Sequence, residues 1–357
     1  MHDAPPEHLA ERHSSSRPGP RDRRRAPQLP APQVLIETPE ISFGYGDLEQ
    51  PFHPASIGKN FLAVVIGRLV EDGRLSLSTP IREVLGERID LARLPAFPGV
   101  DPGRDITVEL LLAHRAGLPD PFLPPRGFRT ACSLTAIAAD PSRGWAIEDF
   151  VAEMTGLPAA ARPGGRFHYS DGGYALLSLL AEEAGGAPIA DLLHREVFAP
   201  AGMTRTHQLH PGAEPEGLSP MLLAGTDVSR MPALSIGSVD GGAITTAHDL
   251  IAFQRAVYEG RLISPELLAD LTRPRSRLRP GIHYGLGFAT LQFDGFMPFI
   301  LRGLPRPVGG LGLTAAHAFH YRDHDAHVVL NFHSTRAMNQ SFRTHIAIAR
   351  ALARRPL

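Results

Sequence analysis

The chain has 357 residues, 43% of them hydrophobic and 20% charged, with a formal net charge of -1 and a pI near 7.0. That is enough chain to bury a sizeable core in one globular protein, and the charge balance carries no signature of a nucleic-acid or membrane-surface partner. The single cysteine, Cys132, excludes an internal disulfide and fits a reducing compartment, and no apolar run approaches the ~20 residues of a membrane span, so the expected location is the cytoplasm.

Residues 1–31 carry Pro5-Pro6, three serines at Ser14 to Ser16 and the cluster Arg23 to Arg25. The segment is too polar to offset its own ordering, reads as a flexible tail and lacks a signal peptide's apolar core. Residues 34–37 and 41–45 flank Pro39 as two strands of a hairpin. From 56 to 72 apolar residues run almost all round one helix, ended by a left-handed cap at Gly73, and a helix of that kind is buried.

Between 75 and about 233 the pattern is short helices and long loops. Thr79-Pro80 opens one helix, Thr107 caps another over 108–114, and Ile147, Phe150, Val151 and Met154 mark one apolar face. Residues 119–144 have weak periodicity and read as a surface loop or flap. The turn Pro163-Gly164-Gly165 leads to Tyr169 and Asp171, placed on a loop that a buried helix over 174–184 holds still.

In the last third, Thr246 and Asp249 resemble a capping box for a helix over 247–258, and Ser264-Pro265 starts a further one. Strand patterns follow over 284–288, 313–321 and 328–332, and a helix over 342–353 is suited to lying across a sheet. Strands at both ends with helices between predict an α+β sandwich. Its antiparallel sheet is drawn from residues 32–74 and 240–357, with a mostly helical lobe over 75–239 inserted between them.

The chemistry begins at the entrance of the buried helix. Ser56 and Lys59 are three residues apart and stand on one face of its first turn. A serine hydroxyl needs a neighbouring base to act as a nucleophile, and a lysine held neutral by burial or nearby cations is one. A helix start also presents unpaired N–H groups that favour negative charge developing on a reacting oxygen.

With its other motifs in order, the chain resembles the serine β-lactamase-like superfamily over about residues 33–350, in particular the class C, D-aminopeptidase and family VIII carboxylesterase branch. Ser56-Ile57-Gly58-Lys59 matches the S-x-x-K motif, and Tyr169-Ser170-Asp171 stands where the family has Tyr-x-Asn. Leu111 to Pro119 is similar to the Leu-Leu-x-His-Thr-Ser-Gly-Leu loop, Phe198 to Met203 to Phe-x-Pro-Leu-Gly-Met, and Gly241 to Leu250 to Gly-Gly-x-x-Ser-Thr-x-x-Asp-Leu. The resemblance implies an acyl-enzyme on Ser56, with Lys59 and Tyr169 moving the proton, and an oxyanion held by the N–H groups of Ser56 and Leu313.

Two departures shape the expected substrate. Asp171 replaces the family's Asn, turning a donor and acceptor into an acceptor that favours a charged Lys59 and shifts proton transfer onto Tyr169. The third motif, Lys-Thr-Gly or His-x-Gly, aligns with Gly310-Leu311-Gly312, so its cation is missing, and Arg302, Arg306 and His317 are the candidates to replace it. Asp171, Gly312 and Leu313 are therefore the expected substrate-binding residues, and a small uncharged ester or amide the expected substrate. The alternatives are an acyltransferase of the same fold and a degenerate member that binds without turnover. No cofactor is expected. The histidines at 317, 320, 324, 327 and 333 include two H-x-x-H spacings, but on a strand and turn that spacing does not put ligands on one face, so no metal is expected either.

Overall fold

The computed structural model describes residues 29–210, 213, 215–223, 225–235 and 242–354. The tail expected over 1–31 falls, up to residue 28, outside the described residues, as does Gly241 of the Gly-Gly motif. Eight strands build the main sheet: β1 Gln33–Glu37, β2 Ser42–Tyr45, β3 Ser276–Arg279, β4 Ile282–Tyr284, β5 Ala289–Leu291, β6 Val308–Gly312, β7 Ala316–Tyr321 and β8 Ala326–Asn331. Their order is β2-β1-β8-β7-β6-β5-β4-β3, antiparallel throughout, so the N-terminal hairpin joins the C-terminal strands through β1 against β8, Gln33 opposite Asn331 and Glu37 opposite His327.

β7 and β8 are buried at every residue because both faces of the sheet are covered. On one face Phe319, Tyr321, Val328 and Leu330 pack under the C-terminal helix α4, Met338–Ala353. On the other, Ala316, Ala318 and Val329 join the main core with α1, Gly58–Glu71, and α3, Ala247–Tyr258. Strand alternation decides this division, and small residues face the side where a helix lies closest.

The centre of that core is α1. Phe61, Leu62, Val64, Val65 and Ile66 are wholly buried, each contributing on the order of 1.5–3 kcal/mol of apolar transfer. Phe61 meets Phe198 and Phe253 edge-on at 5.4 and 4.7 Å between ring centres. Asp72 caps the helix and Gly73 follows at φ +69°. A second buried helix, α2, runs Asp171–Gly185 beside it.

Several local expectations change, among them the strand expected over 313–321, whose first three residues form a turn ahead of β7. Ser56 belongs to a 3-10 turn, Ala55–Ile57, ahead of α1. Asp171 is the first residue of α2, whose cap is Ser170, so only Tyr169 stays on the loop. Residues 285–288 are a turn rather than strand, because Gly287, at φ +84°, comes flush against Ala63 of α1 and its N–H donates to the Leu112 carbonyl. Thr246 caps α3 by accepting from the Asp249 N–H, but the Asp249 carboxylate accepts from Arg205 N–H and Thr206 hydroxyl instead of closing a box.

Candidate active site

The turn before α1 presents Ser56. Ala55, the residue before it, is held at φ +51°, a region that costs a non-glycine residue on the order of 1 kcal/mol. Its N–H donates to His53 Nδ1 at 2.9 Å, and burial lowers that imidazole to about 4, keeping it neutral and able to accept. One turn on, Lys59 Nζ lies 3.5 Å from Ser56 Oγ. Lys59 is 1% exposed and its ammonium sits 2.7 Å from Asp171 Oδ1, so the buried charge has its counter-ion at the N-terminus of α2.

Aromatic rings close round the same nitrogen. Lys59 Nζ stands 5.0 Å from the centre of the Tyr169 ring and 5.2 Å from that of Tyr174, whose hydroxyl donates to the Leu112 carbonyl. His114 organises the loop that carries Tyr169. Its carbonyl accepts from His168 N–H at 2.9 Å, its Nδ1 from Ser170 N–H at 3.2 Å, and its ring stacks on Tyr169 at 4.2 Å. Both neighbours of Tyr169 are thus tied to one residue. Burial, and then the charge on Lys59, hold His114 well below its ordinary pKa, which keeps Nδ1 free to accept.

Sequence reasoning missed Asp120 and Asn60. Asp120 is 4% exposed and accepts from Phe122 N–H at 3.0 Å, and burial, with Asp171 next in weight, pushes its carboxyl well above the usual range against the pull of Lys59. Its signal was an acid following the His114 loop directly. Asn60, beside Lys59 on an otherwise apolar helix, donates to the carbonyls of Gly287 at 2.6 Å and Gly309 at 3.5 Å.

Asn60 also explains Gly310. A side chain there would run into the Asn60 amide oxygen and stand 3.1 Å from its Cγ and 3.3 Å from Ile57 Cα. A side chain at the position aligned with the third motif would therefore have to displace Asn60. Gly312 lies against the Pro54 carbonyl, with any Cβ 3.0 Å from that of Ala55, which brings the end of β6 flush with the serine turn and leaves Leu313, 37% exposed, beside it. None of the expected replacement cations is seated here. His317 is on the opposite face of the sheet, bonded to Ser341 of α4 at 2.9 Å. Arg306 lines a depression with Asp323, His324 and Ala353, at the far end of β7, and Arg302 is exposed on the loop leading to it. Cys132 is buried with its thiol pushed up to about 12, chiefly by that burial, and is chemically inert.

One property of the whole chain singles out the same place. Of its 36 Lys and Arg residues, Lys59 is the one lysine. Arginine, which does not give up its proton in proteins, serves everywhere else.

A family profile described as Beta-lactamase matches residues 45–354. PbpX of Bacillus subtilis (strain 168), which carries a penicillin-binding-protein name, is 27% identical over 286 residues, covering 74% of this chain, and the chain spans 64% of that relative's length. The D-stereospecific amidohydrolase from a Streptomyces species superposes with a TM-score of 0.70 at 22% identity, covering 86% of this chain and 90% of the other. EstCE1, described as a hydrolase with promiscuous acyltransferase activity, gives 0.68 at 17% identity, covering 88% and 93%. The two solved structures establish the shared fold.

Proposed function

The chain belongs to the β-lactamase family, and on that premise we propose that it is a serine hydrolase forming an acyl-enzyme on Ser56, with a small uncharged ester or amide as substrate. The observation that carries this reading is the constellation itself: half-buried Ser56 with its Oγ 3.5 Å from the sole lysine, that buried lysine paired with Asp171 at 2.7 Å, and Tyr169 alongside on a clamped loop.

In the proposed reaction the Ser56 hydroxyl proton passes to a phenolate form of Tyr169 as Oγ bonds to the substrate carbonyl carbon. Lys59, paired to Asp171, acts as a fixed positive charge that favours the phenolate and orients the serine. The N–H groups of Ser56 and Leu313 receive the oxyanion. Collapse breaks the bond to the alcohol or amine, which takes the proton from Tyr169. Water then attacks the acyl group by the same route in reverse and frees Ser56.

The substrate class follows from Gly310. With the Asn60 amide in the place of a cation, nothing at that position holds a substrate carboxylate, which favours neutral acyl donors. The amidohydrolase and the hydrolase EstCE1 agree with hydrolytic turnover on this fold, and the acyltransferase activity named for EstCE1 agrees with the transfer alternative. The test is labelling by a fluorophosphonate probe and release of p-nitrophenol from a short-chain ester. Both are expected in the native protein, with a loss of at least about a thousandfold in Ser56→Ala. Equal labelling of the two proteins would discard the assignment. An added alcohol that diverts the acyl group into a new ester would instead identify a transferase.

A further inference from the structure

The histidines that the function leaves unused converge at the end of the sheet remote from Ser56. His320 on β7 and His327 on β8 are directly opposite in the antiparallel register, so they share a face although seven residues separate them in the chain. Their rings stack at 4.5 Å. The two H-x-x-H spacings are irrelevant here: His317 points to the other face, under α4, and His324 lies in the turn.

The connection between the two strands supplies the third group. Asp325 takes a left-handed conformation, φ +43°, and its Oδ1 comes 3.4 Å from His320 Nε2 and 3.7 Å from His327 Nε2. One donor atom from each residue lies within 4.8 Å of the other two. A tetrahedral ion with bonds of about 2.0–2.1 Å spaces its ligands by roughly 3.4 Å, so modest closure completes the set. The two rings are 4–5% exposed, whereas the Asp325 side chain is 67% exposed, leaving a path for an ion and a place for water.

We propose that His320, His327 and Asp325 bind one divalent transition-metal ion of the zinc class, with solvent completing the coordination. Two imidazoles and a carboxylate are ligands of that class, and imidazole nitrogen disfavours calcium or magnesium. Gln254 of α3 supports the arrangement from behind. Its side chain lies 3.0 Å from His327 Nδ1, and either end of the amide reaches that atom. With the nitrogen there, the amide also bonds the Phe319 backbone and the ring proton stays on Nε2, facing Asp325. Turning the amide gives up its bonds to the Phe319 backbone but lets its oxygen accept from Nδ1–H and frees Nε2 to ligate. Two further features limit affinity. His320 Nδ1 has no partner among the described residues, and Arg255 and Arg322 are nearby cations, the first paired with Glu37 at 2.8 Å.

His320 is four residues along β7 from Ala316, roughly 13 Å at the usual rise, and Ala316 is opposite Gly312 at the serine turn. The ion would cross-link β7, β8 and the turn between them and take no part in acyl transfer.

Tag-free protein freed of metal by chelator and titrated with Co2+ tests this. A visible d–d absorption saturating at one equivalent is expected in the native protein, displaced by Zn2+ and not by Mg2+. Asp325→Asn, at an exposed position that leaves the core intact, is expected to weaken binding at least about tenfold, and His327→Gln to abolish the band. Ser56-dependent ester turnover should be unchanged in both. No saturable band in the native protein, or an equal band in Asp325→Asn, would overturn the site. If His327→Gln fails to fold, the Asp325→Asn comparison decides alone.

Discussion

Lys59 shows how a single residue can be structural liability and chemical asset at once. A buried ammonium without a partner costs several kcal/mol, and here the carboxylate of Asp171 at 2.7 Å offsets part of that cost. In the proposed reaction the same pairing makes Lys59 a charge and not a base and gives the proton to Tyr169. Because the chain contains one lysine, labelling with isotopic lysine yields a single side-chain resonance. That resonance is expected to report an ammonium at about pH 7 in the native protein, and an increased share of neutral amine in Asp171→Asn. A neutral amine in the native protein would return the base role to Lys59. The residue pattern Ser56, Lys59, Tyr169 and Asp171 was legible beforehand because short spacings on helix starts and loops survive in one dimension. Asp120, Asn60 and the clamping of the Tyr169 loop by His114 were not, because Asp120 is raised by burial and by Asp171, Asn60 bonds carbonyls 227 and 249 residues away, and His114 Nδ1 bonds an N–H 56 residues away.

At the scale of elements, the proposed preference for neutral substrates rests on the contact of β6 with α1. Gly310 and Gly312 let the strand lie flush on the serine turn, and Asn60 ties the helix to the carbonyls of Gly287 and Gly309. Sequence alone suggests that a histidine at Gly310 would restore the family's third motif. The packing predicts otherwise: Gly310→His is expected to lose about 1–3 kcal/mol in denaturant unfolding and gain no turnover of carboxylate-bearing substrates. Asn60→Ala should itself cost a similar amount, since two buried carbonyls lose their donor. Combined, the two changes should cost less than their sum, because the second opens the space the first needs. Strict additivity would show that the collision with Asn60 is not what excludes a side chain at Gly310.

For the whole molecule, the histidines buried in both layers make stability depend on pH. Burial lowers His53 to about 4 and His317 to about 3, and holds His114 and His345 well below the ordinary value. Their folded pKa values lie under the unfolded value of about 6.5, so the unfolded chain binds more protons in between. This contribution is fully present above about pH 6.5 and is lost as pH falls toward the folded values. At pH 5 His53 and His317 each cost roughly 2 kcal/mol, and His114 and His345 act in the same direction. Asp120, shifted the other way, offsets part of this, since its contribution is present at low pH and lost as pH rises through its raised value. The thermal midpoint is expected to drop by about 5 °C or more between about pH 7.5 and pH 5. An unchanged midpoint would mean that these rings are not held neutral by the fold.

The amino-acid sequence by itself determined the α+β class, the antiparallel sheet with strands from both ends of the chain, the buried helix at its centre and the serine–lysine pair at that helix's entrance. Periodicity, caps and turn residues are local signals, and the folded molecule obeys them where packing does not compete. Only the tertiary structure decided that Asp171 would become the first residue of α2, that Asn60 would fill the space beside Gly310, and that His320 and His327 would meet across a hairpin. Each of these depends on register and on which face a residue takes when two elements close together, and neither is written in the spacing of residues along the chain.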